Sequence, residues 1–437
     1  MQLTNRGIFL LLPTAVILVA GTWLPVLQGV ALAYALAVLL LVGVDWRQAG
    51  TVTTRFDVRR EHDSKLSLGA DNPVWLHVRN RGTRPVEIWL RDEPPDEFRI
   101  DIRVLHTTLV PRQSWAGVYH LHPLRRGDYA FGKINLRWVG PLGLVVRQGS
   151  VGGRTAVKVY PNLLDVRRYD LLLKRNRLQE LGLRSTRQFG EGTEFERLRD
   201  YLPDDEYRRI DWKATARRHH PVTVEYQTER SQNVIAVLDT GRMMQSPVAD
   251  MAKLDYVVNA VLLLGYVATG KGDKVGLLTF ANDVDSWLNP RQGRGQFYRM
   301  LELLYGVEAQ PVEPDYRRAL TYLAHKQRKR ALVVIFTDLS GGASMEALVS
   351  HASVLARRSL PLVVTISDPD VVAASQQTPT DSLSVYQRTA AARLLDERQL
   401  ALDQLRRQGV LTLDVPANQL SIAVINRYLE LKAKTLL

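Results

Sequence analysis

The polarity of the chain changes character four times. Ile8 to Leu24 is uncharged and mostly apolar, residues 25–29 interrupt it, and Val30 to Val44 is apolar again. These runs predict two membrane helices joined by a very short turn. Each falls slightly short of the roughly 20 residues that span a bilayer, and the turn residues lengthen either end. From Thr51 to about Tyr160 apolar residues recur at every second position, as in Val74, Leu76, Val78 and Ile134, Leu136, Trp138. That period, with turn signals at Asn80-Arg81-Gly82 and Arg126-Gly127-Asp128, predicts a small β-sandwich; Ile100, Ile102 and Val104 mark one of its strands. Leucines mixed with Arg and Lys between Pro161 and Arg187 predict a connector helix. The uninterrupted run Val234 to Leu238, closed by Asp239, reads as a buried parallel strand.

Beyond Asp239 strands and helices alternate. Strands are predicted at Val275–Phe280, Ala331–Thr337, Leu362–Ile366 and Val410–Leu413, with a short partner around Val284–Leu288. Helices are predicted at Lys253–Thr269, Gly295–Tyr305, Tyr316–Gln327, Met345–Arg357, Thr389–Gln408 and Leu420–Leu436. The fold class is therefore α/β, a mostly parallel sheet with helices on both faces, preceded by a helical hairpin and a sandwich. The expected boundaries are 1–48 for the hairpin anchor, 49–160 for the sandwich, 161–230 for the connector with a charged segment, and 231–437 for the α/β domain.

Charge fixes the expected topology. Arg6 precedes the first apolar run, and Arg47, Arg55, Arg59 and Arg60 follow the second. By the positive-inside rule both ends are cytoplasmic, which makes the rest of the chain a cytosolic body on a two-helix anchor. Two apolar runs in series, with the charged flank after the second, argue against a cleaved signal peptide. The 437 residues contain no cysteine, which excludes disulfides, thiolate metal sites and cysteine nucleophiles. The formal charge of +13 is spread along the chain and accompanies no nucleic-acid-binding signature, so a membrane surface or an acidic partner explains it better than nucleic acid.

Candidate chemistry is sparse. Neither G-x-x-x-x-G-K-[ST] nor G-x-S-x-G occurs, and Gly190-Glu191-Gly192 is too short to cradle a phosphate. His219 and His220 are adjacent, so their side chains diverge on any regular element. Asp92, Glu93, Asp96 and Glu97 cluster around Pro94 and Pro95, where the prolines favour a loop over a cation site. No small-molecule substrate and no catalysis are expected.

The densest feature is the stretch from Phe189 to Asp239, in which acidic and basic residues alternate around Phe195, Leu198, Tyr201, Leu202, Ile210 and Trp212. Its order, GEGTEFERLRDYLPDDEYRRIDWKATARR followed by VEYQTERSQNVIAVLDTGRMM, resembles the bacterial domain of unknown function 58 family. The C-terminal part of that family resembles a von Willebrand factor A domain, a Rossmann-type sheet. The resemblance implies a divalent cation held by an Asp-x-Ser-x-Ser motif, a threonine and a later aspartate. Asp239 matches the first position and Asp338 the last, but Gly241 and Met243 stand where the serines belong. The loop from Gln310 to Asp315 also lacks a threonine. Two carboxylates make a degenerate site, with weak Mg²⁺ binding the most it would support. Arg242 is expected to pair with Asp239 or Asp338.

The resemblance further implies a MoxR-type AAA+ ATPase as partner. The chain would then be a membrane-anchored adaptor in protein assembly or remodelling at the bacterial inner membrane. Arg197, Arg199, Asp204, Asp205, Arg208, Arg209 and Asp211 are the expected docking residues. The competing expectation for this segment is structural, with Trp212 filling core. The alternative function is a Mg²⁺-dependent adhesion-type module.

Overall fold

The computed structural model describes residues 2–174, 194–202, 207, 210–227, 231–339 and 343–434. Its chain divides into two units, Met1–Tyr160 and Pro161–Leu437.

The first unit opens with helices Asn5–Ala20 and Val26–Ala49, packed on each other. The Tyr34 hydroxyl donates to the Leu10 carbonyl at 3.0 Å, and Gln28 Nε2 donates to Gly21 O at 3.2 Å. Among the described helices one, Val26–Ala49, is long and apolar enough to cross a membrane, and Asn5–Ala20 is apolar but shorter. The expected pair of spans is thus met for one helix.

Three sheets follow. The five-stranded one has the spatial order 2–3, 145–151, 134–139, 86–92, 105–109, and the four-stranded one the order 56–62, 72–80, 114–122, 99–100. A three-stranded sheet joins 65–67, 155–160 and 127–131. Alternation buries Ile88, Leu90, Leu136 and Trp138 from the first and Val74, Leu76, Val78 and Leu121 from the second. The expected strand from Ile100 to Val104 shrinks to Arg99–Ile100. Asp101 ends it: its carboxylate accepts from the backbone N–H of Ile102 at 2.6 Å and of His120 at 2.8 Å. Local side-chain bonds of this kind compete with a ladder.

Asp92 and Glu93 of the acidic cluster are spent internally. Asp92 accepts from Arg60 Nε at 2.8 Å and from the Tyr119 hydroxyl at 2.6 Å, and a second guanidinium nitrogen of Arg60 grips its other oxygen. Glu93 accepts from Asn135 Nδ2 at 2.6 Å and Lys133 N at 3.0 Å.

In the second unit six strands form one sheet in the order 284–291, 274–280, 233–239, 332–336, 360–367, 411–416. All neighbours are parallel except the 284–291 edge, which runs antiparallel to 274–280 and is longer than expected. Ile235, Val237, Val333 and Ile335 share one cluster with residues of helices Tyr316–Lys326, Ala343–Ala356 and Ser382–Arg407. Val234, Ala236 and Leu238, of opposite parity, are buried as well. Helix Lys253–Gly270 packs against Arg294–Tyr305 and Leu420–Ala433. Helix Leu163–Lys174 is fixed to this unit by Tyr266, whose hydroxyl donates to Asp170 at 2.8 Å. Helix Pro369–Gln376 was not expected, and the long helix starts at Ser382 instead of Thr389. A separate antiparallel hairpin pairs Glu194–Asp200 with Val222–Gln227.

Candidate functional site

Parallel strands deliver their C-terminal residues to one edge of a sheet, the usual place for ligands in open α/β folds. Asp239 and Asp338 both arrive there. Asp239 is buried and fully engaged: Gly241 N donates to Oδ1 at 2.7 Å, while the hydroxyls of Thr337 and Tyr316 donate to Oδ2 at 2.6 Å and 2.9 Å. Burial pushes its carboxyl above the usual range and the charge of Asp338 adds to that, against three hydrogen bonds acting downward. Burial and the neighbouring Asp239 push the Tyr316 phenol well up.

Asp338 has cations already in place. Lys253 Nζ lies 2.6 Å from Oδ2, and both side chains are buried. Arg398 Nη1 lies 3.4 Å from Oδ1 while its Nη2 reaches Asp414 at 2.6 Å and Thr365 Oγ1 at 2.7 Å. Asp338 and Asp414 are therefore countered by protein cations.

A divalent ion does not fit these residues. It needs oxygen ligands with free lone pairs, whereas three donors occupy most of the acceptor sites of Asp239 and Asp338 faces an ammonium and a guanidinium. Gly241 leaves no room for a serine: a Cβ there would sit 2.9 Å from Pro314 Cδ and 3.1 Å from Val312 O. The loop bearing those residues is fastened across the strand end by Gln310 N to Thr240 O at 2.7 Å and Arg242 N to Val312 O at 2.9 Å. Among the described residues no group of three or more His, Asp or Glu side chains could hold a metal. Arg242 pairs with neither acid; it meets Glu313 at 2.6 Å on the surface, because the chain turns outward after Gly241.

The charged segment forms the second candidate site. Arg197 lies within strand Glu194–Asp200, and Arg199 donates to the Asp200 carbonyl at 3.1 Å. Asp204, Asp205, Arg208 and Arg209 lie outside the described residues. Asp211 is the N-cap of helix Trp212–Arg218 and accepts from Lys213 N and Ala214 N, both at 3.0 Å, so its role is local. Trp212 does not fill core. It is 57% exposed and stands edge-on to Tyr207, itself 67% exposed, with ring centroids 5.4 Å apart.

This helix buries no residue and carries Lys213, Arg217 and Arg218. It ends at His219 in the left-handed region, φ 60°, while His220 turns to Asp200 at 2.9 Å. The exposed aromatic pair escapes a reading that takes any aromatic among charges for an anchor. The available signal was Asp211 as a cap, which places Trp212 at the first turn of a short basic helix.

A family model described as "Protein of unknown function DUF58" matches residues 197–382. The Uncharacterized protein YeaD of Bacillus subtilis is 24% identical over 228 residues, 52% of this chain and 54% of that protein. An uncharacterized protein of Mycobacterium tuberculosis is 28% identical over 173 residues, 38% of this chain and 55% of its own length. The chain thus spans about half the length of these curated relatives. Among solved structures, the mussel byssus proximal thread matrix protein 1 is 15% identical, covering 46% of this chain and 48% of that one at a TM-score of 0.31. A PapD-like domain of human CEP192 is 15% identical, covering 25% and 87% at 0.18.

Proposed function

We propose that the protein is a membrane-anchored adaptor whose second unit is a von Willebrand A-like domain and whose basic, aromatic surface at Tyr207 and Trp212–Arg218 docks a AAA+ ATPase of the MoxR type. In this reading both hairpin helices cross the bacterial inner membrane and the remainder is cytoplasmic. The ATPase would use the anchored body in assembling or remodelling other proteins. The strand order with acids at adjacent strand tips supports the A-like assignment. The outward apolar surface of both helices, with Arg6 and Arg47 at their shared end, supports the anchor.

The observation that carries the docking role is the exposure of Tyr207 and Trp212 beside Lys213, Arg217 and Arg218. Tryptophan, tyrosine and arginine are the residues that dominate binding energy at interfaces. Mixed charge around them suits a partner that must associate quickly and leave. The experiment is a pull-down of the cell's own MoxR-type ATPase by full-length protein in detergent, comparing wild type with Trp212→Ala and Arg217→Glu/Arg218→Glu. Lost capture at an unchanged melting temperature is the expected outcome. Undiminished capture by both variants, or a fall in melting temperature of several degrees, would sink the docking role.

A further inference from the structure

We propose that the foot of the helical hairpin and the sandwich loop locked to it form a docking surface for anionic phospholipid headgroups, holding the sandwich in one attitude to the bilayer. This rests on the membrane reading above.

The lock is unusually complete. Asp45, near the end of the second helix, is buried and accepts from the backbone N–H groups of Leu142 at 2.8 Å, Leu144 at 2.9 Å and Val145 at 3.0 Å. Gly140 passes so close that a Cβ there would collide with the Asp45 carboxylate. The start of the first helix is tied to the same loop: Thr4 N donates to Leu144 O at 2.9 Å, Thr4 Oγ1 to Gly143 O at 2.6 Å, and Gln2–Leu3 pairs with Val145 and Val146. Trp138 Nε1 donates to Ala49 O at 3.0 Å, so the sandwich interior also holds the helix end. No hinge separates hairpin from sandwich.

The loop therefore sits at a fixed depth. From Val26 to Asp45 the helix rises about 28 Å at roughly 1.5 Å per residue, which matches the ~30 Å hydrocarbon layer. Trp23 at the turn is 78% exposed and Trp46 at the foot 44%, the two levels where tryptophans collect in membrane proteins. Beside Asp45, Leu142 is 41% exposed.

Charge at the foot has one sign. Residues 2–8, 45–50 and 140–148 contain Arg6, Arg47 and Arg147, and their single acid is the buried Asp45. The Arg147 guanidinium lies 4.8 Å over the Trp46 ring and donates to Trp46 O at 3.2 Å. Arg6 approaches the loop at Gly143. Arginine forks bind phosphate oxygens in pairs, and basic residues beside a membrane helix draw anionic lipid.

The chain has no cysteine, so Leu142→Cys provides one labelling site on the full-length protein. A fluorophore there is read in mixed phosphatidylcholine and phosphatidylglycerol nanodiscs in which the headgroup nitroxide is carried, at equal mole fraction, either by the anionic or by the neutral lipid. Quenching by the labelled phosphatidylglycerol is expected to exceed that by the labelled phosphatidylcholine by roughly twofold or more, and to fall to the neutral-lipid level in the Arg6→Gln/Arg47→Gln/Arg147→Gln variant. Exchange protection of the Leu144 and Val145 amides, unchanged in that variant, shows that the loop stays locked. Equal quenching by the two labelled lipids, in wild type and variant alike, overturns the proposal alone. Failure of the protein to enter discs at all overturns the membrane reading with it.

Discussion

Replacing Lys253 by methionine tests whether the strand-end acids are held by protein cations. Methionine keeps the stem and removes the charge, while Arg398 stays at 3.4 Å from Asp338. Removing one partner of a buried pair costs about 3–5 kcal/mol, and the surviving guanidinium keeps the loss near about 3. The site borders strand Leu332–Phe336, whose amides report its opening by hydrogen exchange in the full-length protein. At about 1.4 kcal/mol per decade, their protection should fall about a hundredfold. The double variant Lys253→Met/Asp338→Asn should recover more than half of that, because neither charge is then orphaned. A loss below about tenfold in the single variant, or strict additivity in the double, would refute the pairing as the source of stability.

Asp239→Asn should change the pH dependence of stability. The raised carboxyl means that the fold prefers Asp239 protonated, so its contribution is fully present below the unfolded value of about 3.9 and is lost as pH rises through the folded value. Melting curves should show the variant gaining on wild type between acid and neutral pH, and a constant difference would contradict this. In the first unit, Arg60→Met should cost about 3–5 kcal/mol by stranding Asp92, whereas Tyr119→Phe, which leaves the guanidinium in place, should cost about 1–2. Melting temperatures that rank the two the other way would place the strength of that network in the phenol.

The parallel strands could be read from sequence because burial on both faces leaves an unbroken apolar run, as at Val234–Leu238. Strand Phe56–His62, by contrast, carries Asp57, Arg59, Arg60, Glu61 and His62, so its alternation is hidden by charge. Hairpin strand Val222–Gln227 does alternate over Val222, Val224 and Tyr226, but the flanking charges obscured it. The two helix starts had signals that apolar periodicity ignores: Asp368 capping before Pro369, and the Asp381–Ser384 capping box. Asp239 and Asp338 were visible as acids closing apolar strands. Lys253 and Arg398 were not, since they lie 85 and 60 residues from Asp338 and meet it only through the winding of the sheet.

The crowding around Gly241 bears on how this strand end can change over time. A hydroxyl side chain at 241 collides with Pro314 unless the 310–315 loop lifts, and lifting that loop breaks its bonds to Thr240 and Arg242. Removing Lys253 first takes the nearer cation from Asp338. Substitution at 241 or at 253 toward an ion-binding motif is thus penalised before any ion can compensate, so the strand end resists acquiring an ion in single steps.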